Sequence, residues 1–247
     1  MIIKKNGVAL ITGGAGNLGK VICKNLSKNY DVIATYNKKK LSKNFLKSLN
    51  GNNNLLCKCD LENEKEIQLL INKIKKKYKK LDVLINNASF TKNLPKSFVL
   101  KPDKKIIKKI MNTNFYSTYF ITIEAIKLML KSKIIKKKNI IFILSNSIKT
   151  LNASNIFYTC SKSATETLMK YLAKNYGKKI RFNAISPGLF KTKKTKVRKN
   201  NILNISKITP LGRLADPEDI INCINSILSN MTFLNGQNIY LDGGRTV

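Results

Sequence analysis

Histidine is missing altogether from the 247 residues. That absence removes the common zinc sites, the Ser-His triad and the imidazole general base together, so proton transfer falls to Tyr, Lys, Cys or a carboxylate. Acids are scarce too, with 13 Asp and Glu against 47 Lys and Arg and a formal net charge of +34. The five cysteines, Cys23, Cys57, Cys59, Cys160 and Cys223, form no Cys-x-x-Cys pair and no pattern of a disulfide framework. No apolar run approaches the ~20 residues that span a bilayer. Met1 leads straight into Ile2-Ile3-Lys4-Lys5 and a strand-like run, which leaves no room for a signal peptide. A soluble cytoplasmic protein without a metal is expected.

A chain this basic attracts polyanions by releasing their counterions, so nucleic acid is expected as a partner only non-specifically and salt-sensitively. The basic residues are almost all Lys, run along the whole chain and accompany an excess of Asn and Ile. Drift toward AT-rich codons accounts for that mixture more simply than a selected nucleic-acid surface. The runs Lys75-Lys76-Lys77 and Lys136-Lys137-Lys138 read as exposed helix ends or loops.

What is present is a regular alternation. At 43% hydrophobic the chain can build one sizeable core, and no Pro/Gly/Ser linker divides it, so residues 1–247 are expected to be a single domain. Strands are predicted at 8–11, 32–36, 54–59, 83–85, 140–144, 180–185 and 238–241. Between them lie segments of helical period, among them the stripe Ile67, Leu70, Ile71 and Ile74 and helices over 104–131, 159–176 and 217–228. The pattern predicts an α/β doubly wound (Rossmann) fold, a mainly parallel seven-stranded sheet with helices on both faces.

Two local patterns carry chemistry. Thr12-Gly13-Gly14-Ala15-Gly16-Asn17-Leu18-Gly19 follows the first strand and opens a helix, the context in which glycines let a pyrophosphate approach the backbone at a helix N-terminus. Tyr158 and Lys162 stand four residues apart, on one face of a helix. A free phenol has a pKa of about 10, and Lys162 can be the cation that favours its phenolate. Asp60-Leu61 follows the third strand, where Asp60 can accept from an adenine amino group or cap the next helix. Asn86-Asn87-Ala88-Ser89 follows the fourth strand at the carboxyl edge, as a ligand loop or an Asx turn.

With Ser145 between these motifs, and with Asn183-Ala184-x-x-Pro187-Gly188, Pro210-Leu211-Gly212-Arg213, Pro217-Glu218-Asp219-Ile220, Gly236-Gln237 and Asp242-Gly243-Gly244 after them, the chain resembles the short-chain dehydrogenase/reductase family over essentially its whole length. Within that family it looks most like the 3-oxoacyl-acyl-carrier-protein reductases. The resemblance implies a tetrad of Asn114, Ser145, Tyr158 and Lys162. Ser145 would hydrogen-bond a substrate carbonyl, Tyr158 would protonate it, Lys162 would lower the phenol's pKa and bind ribose hydroxyls, and Asn114 would hold a water that links Lys162 to solvent. Asn112 competes with Asn114, and Ser147 with Ser145.

The resemblance also implies a cofactor site of Thr12, Gly13, Gly14, Gly16, Asn17, Leu18, Gly19, Asn37, Lys38, Asp60, Leu61, Asn87, Ala88, Tyr158, Lys162, Pro187, Gly188, Phe190 and Thr192. Asn17 replaces a common glycine, and because Asn tolerates positive φ a shifted loop is expected. Ser89 also stands where many relatives have glycine, as it does in pteridine reductases. The end of the second strand reads Tyr36-Asn37-Lys38-Lys39, with no acid to bind a ribose 2′-hydroxyl, so NADP(H) is expected over NAD(H), with Asn37 and Lys38 near the 2′-phosphate. A substrate lid is expected at about 189–209, where Lys193, Lys194, Lys196, Arg198 and Lys199 could receive an acidic carrier protein. The implied substrate is a carbonyl compound, small or bound to acyl-carrier protein, and the implied assembly is a homotetramer. A sugar or polyol dehydrogenase, a pteridine reductase and a polyanion-binding protein on a reductase scaffold are the competing functions.

Overall fold

Alternate residues of the short apolar runs turn to opposite faces of one sheet, and this sets the architecture. The computed structural model describes residues 5–38, 41–132, 138–191 and 206–247. Its strands are β1 (Gly7–Ile11), β2 (Tyr30–Tyr36), β3 (Leu55–Lys58), β4 (Val83–Asn86), β5 (Lys138–Ile143), β6 (Ile180–Pro187) and β7 (Asn238–Leu241). They pair in the order β3-β2-β1-β4-β5-β6-β7, and every pair is parallel.

From β1, Val8 and Leu10 enter one core while Ala9 and Ile11 enter the other. β5 divides in the same way, Ile140 and Phe142 against Ile141 and Ile143. The first face is covered by α3 (Glu64–Tyr78), α5 (Ser117–Lys131) and α7 (Ile156–Tyr176), through Ile67, Leu70, Ile121 and Met169 among others. The second is covered by α1 (Asn17–Leu26) and by α8 (Pro217–Ser229), through Ile22, Ile220 and Ile224. The described residues also form two short helices, α2 (Lys43–Lys47) and α6 (Ser147–Thr150), and α4 (Lys104–Met111). Apolar residues on both faces of every central strand leave no wetted side, as parallel sheets require.

The expected helix over 104–131 is present as α4 and α5, joined without a break by a π turn at Asn112–Tyr116. Lys75, Lys76 and Lys77 form the exposed last turn of α3. Lys138 departs from expectation: β5 begins there, in register with Ile180, and the residue is buried. Lys136 and Lys137 lie outside the described residues. Among the described residues no helix is long and apolar enough to cross a membrane.

The order reverses between β1 and β4, so their following segments diverge and open a crevice at the carboxyl ends. The residues after β1, β4, β5 and β6 face that crevice.

Candidate active site

The turn after β1 is shaped from behind by side chains and presents backbone to the crevice. Thr12 is buried, and its Oγ1 accepts the amides of Asn87 (2.9 Å) and Ala88 (3.0 Å). Asn87 returns a bond from Nδ2 to the Thr12 carbonyl at 2.9 Å. Gly13 has φ of +66°, and a Cβ there would meet the Ala88 Cα at 2.9 Å. Thr35 of β2 ties the turn down, its Oγ1 accepting from Gly13 at 3.2 Å and its carbonyl from Gly14 at 2.8 Å. Gly16 caps α1 but brings no side chain, which leaves the first amides of the helix for an anionic ligand. Asn17 opens that helix instead of supplying a positive φ, so the expected accommodation falls on Gly13.

Gly13, Gly16, Asn17, Leu18 and Gly19 line a cavity of about 650 Å³ that runs past Asn37 and Lys38 to Asp60 and Leu61, with Asn87, Ala88 and Phe190 on its other side. Thr12 and Gly14 stand behind this wall. The shape and the bare helix start fit a dinucleotide. Asp60 does not cap α3: its Oδ1 accepts from the Glu62 amide at 3.0 Å. The cap is Asn63, whose Oδ1 accepts from the Lys65 amide at 3.0 Å, because the chain makes one more turn before the helix begins. Glu62, Lys109 and Thr113 also line the cavity. Glu62 pairs with Lys109 and accepts from Thr113 Oγ1 at 2.6 Å. Sequence motifs miss this wall, whose one trace is the single-turn spacing of Lys109 and Thr113.

A second cavity, of about 470 Å³, holds Ser145, Tyr158, Lys162, Pro187 and Gly188 and shares Leu18, Asn87, Ser89 and Phe190 with the first. Asn155 sets the start of α7, its Oδ1 accepting from the Tyr158 amide at 2.8 Å while its Nδ2 donates to the Lys92 carbonyl at 2.9 Å. Tyr158 therefore lies in the first turn and Lys162 one turn deeper. Lys162 is 4% exposed; its Nζ donates to the Ile143 carbonyl at 2.8 Å and lies 5.6 Å from the centre of the Tyr158 ring.

Burial lowers the Lys162 ammonium to about 8. The Tyr158 phenol is raised above its ordinary value, chiefly by burial, against the downward pull of hydrogen bonds from Ser89 and Ser145. The phenol is thus raised where a lowering by Lys162 is expected from the sequence: loss of water outweighs the hydrogen bonds of Ser89 and Ser145. The phenol is protonated at neutral pH and can give a proton, which is the direction a carbonyl oxygen needs on reduction.

Asn114 sits in the π turn, where the widened helix carries it inward, and π turns often mark functional positions. It is 2% exposed. Its Oδ1 accepts from the Phe90 amide at 2.7 Å and from Ser89 Oγ at 3.3 Å, while Nδ2 donates to the Phe90 carbonyl and to Ser161 Oγ, both at 3.0 Å. Asn112, the competing position, is the C-cap of α4. Ser145 stands two residues past β5, and its Oγ accepts from the Ser147 amide at 3.2 Å. Ser147 lines the same cavity, but of these two serines it is Ser145 whose hydroxyl meets the phenol.

Ser89 touches both Tyr158 and Asn114, a contact that its sequence position after Asn86-Asn87-Ala88 hinted at without defining. Ser161, which braces Asn114, carried no signal. Thr192, Lys39, Lys193, Lys194, Lys196, Arg198 and Lys199 lie outside the described residues, as does most of the expected lid.

An acid, a hydroxyl donor and a buried ammonium beside a dinucleotide-shaped cleft can deliver a proton to a carbonyl oxygen. The family model described as enoyl-(acyl carrier protein) reductase matches residues 13–246. The 3-oxoacyl-[acyl-carrier-protein] reductase FabG of Buchnera aphidicola subsp. Baizongia pistaciae is 30% identical over 243 residues, 96% of each chain. Carbonyl reductase family member 4 of Xenopus laevis is 27% identical over 240 residues, 96% of this chain and 97% of that one. A solved structure of a glucose/ribitol dehydrogenase from Brucella melitensis superposes with a TM-score of 0.88 at 19% identity, over 99% of this chain and 98% of that one, and shares the fold.

Proposed function

The chain belongs to the short-chain dehydrogenase/reductase family of NAD(P)-binding oxidoreductases, and from that premise we propose that it reduces 3-oxoacyl thioesters of acyl-carrier protein with NADPH. The observation that carries this reading is the convergence of Ser145, Tyr158 and Lys162 on one cavity that adjoins the glycine-lined cleft. The relatives named as 3-oxoacyl-[acyl-carrier-protein] reductases support the substrate class.

A nicotinamide dinucleotide bound in that cleft supplies the hydride. The backbone of Gly13 to Gly19 holds its pyrophosphate, Asp60 and Leu61 its adenine end, and Pro187, Gly188 and Phe190 its nicotinamide end. Exposed Asn37 and Lys38 line the cleft at the end of β2, where the sequence supplies no acid to bind a ribose 2′-hydroxyl, which favours a 2′-phosphate. Ser145 orients the substrate carbonyl, and the protonated Tyr158 gives its proton to that oxygen as negative charge builds there. Lys162 binds ribose hydroxyls, and Asn114 keeps the water that recharges it. The chain acts as a single-domain cytoplasmic homotetramer, joined through α5 and α7, whose outer faces carry Tyr119, Leu130 and Tyr171 exposed.

The test is NADPH oxidation with acetoacetyl thioester, a dihydropterin and a sugar panel, run beside Tyr158→Phe. Turnover of the thioester is expected, with a loss of about 10³-fold in Tyr158→Phe and NADPH affinity retained. Faster turnover of a sugar or pterin would reassign the substrate. No turnover of any carbonyl, together with tight salt-sensitive RNA binding, would overturn the reductase reading.

A further inference from the structure

Four of the 47 basic residues are Arg, and the described ones are placed where a planar guanidinium does what an ammonium cannot. Arg181 is buried and caps the end of α8 by donating to the carbonyls of Ile227 (2.8 Å) and Met231. Arg213 holds Asp219 with two parallel bonds, of 2.7 and 3.1 Å. Arg198 lies outside the described residues. Arg245 is half-buried and, among the described residues, has neither a hydrogen bond nor an ion pair. All 13 acids belong to the described residues, so no carboxylate elsewhere in the chain is left for it.

Its position is fixed by the turn that carries it. Asp242 is buried at the end of β7; its Oδ1 accepts from the Gly244 amide and its Oδ2 from Asn146 Nδ2, each at 3.2 Å. Gly243 and Gly244 take φ of +69° and +90°, which turns the chain back toward the segment of Ser145 and Asn146. Arg245 thereby joins the wall of the cavity that contains Tyr158 and Lys162. No Asp or Glu lines that cavity. Arg245 also borders a smaller cavity of about 280 Å³ that includes Asp219 and Asp242, but Arg213 and Asn146 already engage those two.

We propose that Arg245 is the anion-binding group of the substrate cavity, and that the carbonyl substrate carries a phosphate or carboxylate which this guanidinium holds while the carbonyl meets Ser145 and Tyr158. This deepens the reductase reading and rests on it. A half-buried, unpaired guanidinium is an incomplete site, because its five donors match the paired oxygens of either anion. The anion can sit on the arm that presents the acyl group, as a phosphate, or on the acyl group itself, as a carboxylate.

Three thioesters separate these sources: acetoacetyl-N-acetylcysteamine, which is neutral; acetoacetyl-4′-phosphopantetheine, with phosphate on the arm; and 3-oxoadipyl-N-acetylcysteamine, with carboxylate on the acyl chain. One anionic thioester is expected to have a kcat/KM at least about tenfold above the neutral one, mostly through KM. In Arg245→Gln that ratio falls toward one, and Arg245→Lys recovers part of it. Equal kcat/KM for all three in the wild type overturns the proposal. So does a ratio that Arg245→Gln leaves intact, a loss of NADPH affinity in place of the ratio, or dissociation of the oligomer, which would make Arg245 a partner for a second copy. If the wild type reduces nothing, the reductase reading fails, and calorimetry with 4′-phosphopantetheine and 3-oxoadipate judges Arg245 alone. Binding by the wild type and not by Arg245→Gln supports the anion site, and binding by neither removes it.

Discussion

The two adjoining cavities are built by opposite means. The dinucleotide side is mostly backbone, from one run of eight residues braced by Thr35 and Asn87. The substrate side is made of side-chain ends from β5, β6, α7 and the C-terminal turn, including Ser145, Tyr158, Lys162 and Arg245. A backbone site depends on residues being small and on a local conformation. A side-chain site depends on distant segments arriving together, and it gathers groups whose protonation the interior perturbs.

The largest effect on cofactor affinity should come from breaking the backbone side. A Cβ at Gly19 would lie 2.2 Å from the Gly13 carbonyl oxygen and 2.9 Å from the Gly14 Cα, neither of which belongs to a movable side chain. Gly19→Ala must displace the turn or the start of α1, and overpacking of this kind costs about 1–3 kcal/mol. NADPH affinity should fall about 100-fold, as 1.4 kcal/mol is a factor of ten, read by fluorescence titration with circular dichroism to confirm the fold. An unchanged Kd would mean that the close approach of Gly19 is incidental.

That contrast explains what could be read from the sequence. Strand positions and the glycine turn were legible because each is a local pattern, of period or of residue size. Asn63 displaced Asp60 as the cap of α3 because helix starts shift by a residue or two without altering the apolar stripe. Lys138 was misplaced because a lysine at a strand's first position buries its stem at little cost. The π turn at Asn112–Tyr116, the brace from Ser161 and the contact of Ser89 with Tyr158 are tertiary, and no spacing encodes them. The reversal of the Tyr158 shift has the same origin, since burial is a property of everything packed around the ring.

A smaller effect tests the outer end of the backbone side. Lys38 is exposed, lines the cleft and has no ion pair among the described residues. Lys38→Glu places a carboxylate where the 2′-phosphate is assigned, and the NADPH-to-NADH preference in kcat/KM should drop by about tenfold at low salt and less at high salt. A preference that did not move would assign cofactor choice to a group other than Lys38.

The smallest effect probes what the side-chain side costs the fold. Lys162 has a folded pKa of about 8, lowered by burial from 10.5. Below pH 8 the ammonium is charged in both states, and the folded state bears its desolvation in full. Between pH 8 and 10.5 the folded chain has lost a proton that the unfolded chain still holds, so stability from this group rises with pH, by about 3 kcal/mol at 1.36 kcal/mol per pKa unit. Lys162→Met removes the buried charge and also the bond to the Ile143 carbonyl, whose loss costs about 1–2 kcal/mol. The net gain at pH 7 should be about 1–2 kcal/mol, a rise in Tm of roughly 2–8 °C for a domain of this size, with activity lost. By pH 10.5 the gain should turn into a deficit of about 1–2 kcal/mol, because the wild type no longer carries the charge but keeps its bond to the Ile143 carbonyl. Thermal unfolding of both proteins across this range checks the sign: a variant less stable than the wild type at pH 7 would mean that Lys162 supports the fold, and that the substrate side stores no strain in its buried ammonium.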